Sequence, residues 1–137
     1  MKSKSSIKKK WRLCMAIIIV ILTNVLSIQA QCTTDIEIKL IELTGEWLPK
    51  GKSIILSCPI TVSVDDSFLY IQNEFPDRDI VISIINEFTG ETEYEKTIEK
   101  SQTAYVAVSV LNLTAGEYKI EITGSPIGFL EGKFIKH

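Results

Sequence analysis

The chain has 137 residues, 15 of them basic and 17 acidic, with three cysteines, one histidine and a formal net charge of −2. The histidine is the last residue, His137, so Ser–His and Cys–His nucleophile schemes lack a base and no His/Cys cluster exists for zinc. No Gly-rich phosphate loop and no Gly-x-Ser-x-Gly elbow occurs either.

The first thirty residues have the order of a secretory signal. Six basic residues and no acid lie in that stretch, all of them before an unbroken apolar run from Leu13 to Leu22. Val25 to Ala30 then closes the segment on a small residue. Cleavage is expected after Ala30, giving residues 1–30 as signal peptide and 31–137 as the mature domain. Two alternatives stand beside it. Trp11 to Ile28 is marginally long enough for an uncleaved membrane anchor. Cys32 is also placed for lipoprotein acylation, although Gln31 before it is not the small residue such signals want. An exported product belongs in the periplasm, on the cell surface or outside the cell.

Removing the signal changes the charge. The mature chain holds nine basic and 17 acidic residues, a net charge of −8. Such a domain repels phosphate backbones, which excludes nucleic acid as a partner. Cys14 leaves with the signal, and Cys32 and Cys58 remain. An oxidising compartment permits a disulfide between them; two separate thiols are the alternative.

From Asp35 onward the apolar period is two. Ile36, Ile38 and Leu40 alternate with Glu37 and Lys39. Short strand-like pieces follow at Ile54–Leu56 and Ile60–Val64, with Pro59 marking an edge or a break. Asp65-Asp66-Ser67 turns the chain into Phe68–Ile71. Pro76-Asp77-Arg78-Asp79 is the next turn, and Ile80–Ile85, apolar on both faces, reads as a central strand. Asn86 to Gly90 is a hairpin loop, and the charged strand from Glu93 to Ile98 suits a solvent-facing edge. Ala104, Val106, Val108 and Val110 share one face of another strand. Tyr118, Ile120 and Ile122 point inward from the cleanest alternation in the chain, and Phe129–Ile135 is the last strand.

Seven or eight short strands with evenly spaced turns predict an all-β, antiparallel β-sandwich of immunoglobulin or fibronectin III type, preceded by the signal-peptide helix. Gly116 and Tyr118, at the mouth of a strand, fit a tyrosine corner, in which the phenol bonds back to nearby backbone; a plain half-buried strand tyrosine is the alternative. Asp65-Asp66 and Asp77-x-Asp79 offer carboxylates to calcium, but neither has the ligand count of a known loop, so they read as turn residues. No catalytic residue, metal or small-molecule cofactor is expected. Trp47 is expected in the core and Phe88 exposed in its hairpin. Phe68 and Tyr70 are further candidates for an exposed aromatic patch for glycan or protein contact.

The mature chain resembles the small secreted Bacteroides-type proteins grouped as DUF3244, whose function is uncharacterised. The resemblance rests on Leu43-Thr44-Gly45-Glu46-Trp47, Lys52-Ser53-Ile54, Pro59-Ile60, Leu69-Tyr70-Ile71, the Ile80–Asn86 strand, Gly116-Glu117-Tyr118-Lys119-Ile120 and Gly132-Lys133-Phe134-Ile135, in that order and spacing. Lys52, where arginine is expected, and Cys58 depart from it. It implies an immunoglobulin-like sandwich in a Gram-negative envelope and no activity. A non-catalytic module contacting an envelope protein or glycan is therefore the expected function. The ending Gly116-x-Tyr118-x-Ile120 … Gly132-x-Phe134-Ile135 also resembles C-terminal domains of type IX secretion, which implies sorting or surface assembly as the alternative.

Overall fold

The computed structural model describes residues 10–17, 35–48, 51 and 57–137. The chain divides into two units, Met1–Asp35 and Ile36–His137. Residues 10–17 of the first are helical. Among the described residues no helix is long and apolar enough to cross a membrane. The cleavage point after Ala30, the strand expected at Ile54–Leu56 and Cys32 all lie outside the described residues.

The second unit is built from strands β1 (Lys39–Ile41), β2 (Leu43–Trp47), β3 (Ile60–Val64), β4 (Phe68–Asn73), β5 (Ile80–Asn86), β6 (Thr92–Ile98), β7 (Tyr105–Ser109), β8 (Gly116–Thr123) and β9 (Gly128–Lys136). They form a four-stranded sheet in the order β1-β3-β4-β7 and a five-stranded sheet in the order β2-β9-β8-β5-β6. Every pairing is antiparallel. The central place of β5, between β6 and β8, follows from Ile80-Val81-Ile82-Ser83-Ile84-Ile85, which has β-branched residues for both faces. The charged β6 is an edge, where Glu93, Glu95 and Lys96 discourage pairing with another chain.

The inner faces meet in one core. Val62, Leu69, Ile71, Ile80, Ile82, Ile120 and Ile122 are fully buried there. Each such side chain contributes about 1.5–3 kcal/mol relative to its exposed state. Local chemistry sets the turns. Asn86 Oδ1 accepts from the amides of Phe88 and Thr89, and Gly90, at φ +73°, closes the hairpin by donating its N–H to the Asn86 carbonyl at 2.8 Å.

Among the described residues nine strands are present, against the seven or eight expected, and the N-terminal difference has a physical reason. The expected alternation of Ile36, Ile38 and Leu40 has the wrong phase. Residues 35–38 are not strand, Leu40 is 73% exposed and the neighbouring Ile41 is 5% exposed. Ile41 is set by its pairing with Val62 of β3, which decides the face. One residue, Glu42, then separates β1 from β2, and the chain passes from the first sheet to the second. This short segment occupies the β3 edge with one half and the β9 edge with the other. The outer strands on the opposite side are β7 and β6.

Candidate functional site

Alternation along the four-stranded sheet sends every second side chain outward. On β4 the outward positions are Phe68, Tyr70 and Gln72, and on β7 they are Tyr105, Ala107 and Ser109. Thr61 and Ser63 of β3 continue the surface. None of these positions carries a charge. The three rings adjoin one another. Phe68 and Tyr70 lie 6.1 Å apart between centroids with a 36° tilt, and Tyr70 and Tyr105 lie 6.3 Å apart with a 28° tilt. Ala107 stands opposite Tyr70 in the register, so no bulky side chain interrupts the row there.

Asp65, in the turn between β3 and β4, holds one end of this face. Its Oδ1 accepts from the amides of Ser67 and Phe68, both at 2.7 Å, and its Oδ2 accepts from the Tyr70 hydroxyl at 2.8 Å. Burial pushes the Asp65 carboxyl up, but the hydrogen bonds outweigh it and hold the group below its ordinary value. The same bond to Asp65, with a smaller contribution from burial, raises the Tyr70 phenol above its usual value. An alkaline ultraviolet titration should therefore find Tyr70, identified by its loss in Tyr70→Phe, ionising at higher pH than an unperturbed tyrosine. Asp65→Asn should lower that ionisation; an unchanged Tyr70 transition would show that the bond does not hold in solution.

The outer face of the five-stranded sheet differs in character. Lys119 pairs with Glu121 at 2.7 Å and Glu131 at 4.0 Å, and Lys133 pairs with Glu87 at 3.5 Å. One side of the sandwich thus carries adjoining rings on uncharged positions, bounded by the Asp65 carboxylate, and the other carries ion pairs.

The remaining sequence-predicted residues have other roles. Tyr118 is buried, stacks on Phe134 at 5.6 Å and donates its hydroxyl to the Thr114 carbonyl at 2.7 Å. That backbone contact, four residues upstream across the β7–β8 connection, is the one a tyrosine corner makes. Gly116 opens β8 two residues earlier. Cys58 is exposed, with its thiol 3.6 Å from the Ile60 carbonyl. Phe88 is 97% exposed at its hairpin tip, and Trp47 is only 6% exposed. Among the described residues no three His, Cys, Asp or Glu side chains gather to hold a metal. Asp65 is engaged as above, Asp77 pairs with Arg78, and Asp79 accepts from the Lys100 amide at 2.7 Å.

Trp47 leads to an arrangement that no local sequence pattern announces. Arg78, 3% exposed, lies with its guanidinium carbon 5.2 Å from the centre of the Trp47 ring. Two of its nitrogens donate to the two Asp77 oxygens at 2.8 Å each. It also donates to the Ile127 carbonyl at 2.8 Å and to the Leu48 carbonyl. Three separate loops are tied at one end of the sandwich. Gly124 and Gly128 leave room for the indole, since a Cβ on either would meet it at 2.8 Å.

Tyr105 is the residue of the aromatic face that sequence reasoning missed. Part of its signal was present: with Val106 and Val108 inward, the alternation places Tyr105 outward, and the β4–β7 pairing then brings it beside Tyr70.

Residues 40–135 match the family described as "Domain of unknown function (DUF3244)". The chain is similar to a crystal structure of a DUF3244 family protein with an immunoglobulin-like β-sandwich fold from Bacteroides vulgatus, at 42% identity and a TM-score of 0.65. That likeness covers 74% of this chain and all of the other. No curated protein matches.

Proposed function

This chain belongs to the DUF3244 family, an uncharacterised family with an immunoglobulin-like sandwich, and from that premise we propose that it is an exported, non-catalytic interaction module of the bacterial envelope. It engages a protein or glycan partner through the outer face of the four-stranded sheet. The observation that carries this reading is the adjoining rings of Phe68, Tyr70 and Tyr105, set among uncharged outward positions, whereas the outer face of the five-stranded sheet carries ion pairs. Exposed aromatic clusters mark binding surfaces more often than scattered apolar residues do, because their burial yields much free energy per ring at little conformational cost. Export is supported by the order of residues 1–30, basic then apolar then small. The absence of a histidine base before position 137 favours binding over catalysis.

The test compares retention of the purified protein on isolated envelope material with that of a Phe68→Ala/Tyr70→Ala/Tyr105→Ala variant. All three side chains point outward, so the fold should survive, as checked by its melting temperature. The wild type should be retained and the folded variant should lose retention at least about tenfold, the equivalent of roughly one lost ring contact. Equal retention would move the binding surface elsewhere, and no retention of either would remove the reading.

A further inference from the structure

We infer that the ligand of the Phe68–Tyr70–Tyr105 face is a neutral, extended oligosaccharide, an assignment that rests on the binding role proposed above. A pyranose presents two kinds of surface. Its axial C–H groups make an apolar face that stacks on an aromatic ring, and its equatorial hydroxyls ask for short polar partners at the edges. The four-stranded sheet supplies both. Phe68, Tyr70 and Tyr105 form a row with successive centroids 6.1 and 6.3 Å apart and tilts of 36° and 28°. That spacing is of the order of one sugar unit, so consecutive rings meet consecutive sugars of a chain. Gln72 lies across the register from Tyr105, Ser109 from Phe68 and Ser63 from Tyr70, which places an amide and two hydroxyls beside the rings.

Charge selects among glycans. The outward positions of β3, β4 and β7 hold no cation, and Lys136, at the turn that ends the face, is engaged by the Asp66 carbonyl beside the Asp65 carboxylate. The mature domain's charge of −8 repels any polyanion at moderate ionic strength. A neutral chain meets neither obstacle. Preorganisation adds to the fit: the Tyr70 phenol is already held by Asp65 at 2.8 Å, so one ring of the row is oriented before the ligand arrives.

The experiment screens the purified protein on an array of neutral and acidic oligosaccharides. The strongest binders are then titrated calorimetrically and by tyrosine ultraviolet difference spectra. Saturable binding of a neutral, unbranched oligosaccharide is expected, with tighter binding as the chain lengthens to cover three sugars. Tyr105→Ala and Tyr70→Ala should each weaken it about tenfold, while Phe88→Ala, at the exposed hairpin tip, should leave it unchanged. Equal or better binding of acidic oligosaccharides overturns the neutral assignment. Binding that survives Tyr105→Ala and Tyr70→Ala overturns the face. No glycan binding from an array that includes the neutral classes, together with envelope retention that the triple variant abolishes, overturns the glycan while leaving the module reading in place with a protein ligand.

Discussion

Replacing Arg78 with leucine is expected to destabilise the domain by about 3–5 kcal/mol. Leucine fills much of the volume but leaves the half-buried Asp77 without its guanidinium, and removes donors from the Leu48 and Ile127 carbonyls. It also strips the cation from the Trp47 ring. Small domains have only about 5–15 kcal/mol in total, so this single change approaches a sizeable share of the whole. Urea unfolding should show a lower midpoint at an unchanged slope. Arg78→Lys should recover only part of the loss, since one ammonium cannot reproduce the two-pronged contact with Asp77 and still reach both carbonyls. The pair Arg78→Leu with Asp77→Leu should recover part of it by a different route, by removing the carboxylate that Arg78 neutralised. A loss below about 1 kcal/mol for Arg78→Leu would mean that water replaces the guanidinium, as at a surface ion pair.

The second large effect is expected at Gly45. Its φ is +129°, and a Cβ built there would sit 2.1 Å from the Phe129 carbonyl oxygen, which belongs to backbone and cannot swing aside. Gly45→Ala should therefore cost about 2–4 kcal/mol through backbone strain and overpacking together. The damage should be local before it is global. Amide hydrogen exchange of β2 and of the facing residues of β9 should accelerate, while β5 and β8 keep their protection. Uniformly faster exchange would instead mean that the β2–β9 pairing is inseparable from the core.

These two residues also mark where sequence reading stopped. Strands with a regular two-residue period were legible: β5 as a central strand, β6 as a charged edge, and β8 with Tyr118, Ile120 and Ile122 inward. Leu43-Thr44-Gly45-Glu46-Trp47 has one glycine and almost no β-branching, so propensity does not announce β2; the close approach of β9 creates it. The phase of β1 is likewise set by a partner some twenty positions along the chain. Arg78 sits inside Pro76-Asp77-Arg78-Asp79, which reads correctly as a turn, but nothing local says that its side chain turns inward to Trp47. Burial of Trp47 was foreseeable from residue type, and its companion was not. At the binding face, Phe68 and Tyr70 were visible as aromatic candidates. Their union with Tyr105 required knowing that β4 and β7 are neighbours, a fact of topology that no local pattern contains.

The β1–β2 segment has a consequence for the order of folding. Its two halves pair with β3 and with β9, and β9 is separated from β2 by residues 48–127 of the chain. Neither docking surface exists until the sheets behind them have condensed, and closing so long a loop early brings an entropic penalty with little contact to offset it. The β2 half is therefore expected to act as a closing latch of the sandwich, engaging last on folding once β5, β8 and β9 have paired. Substitutions along it should leave the folding rate almost untouched and appear instead in the rate at which the latch, and then the domain, comes open.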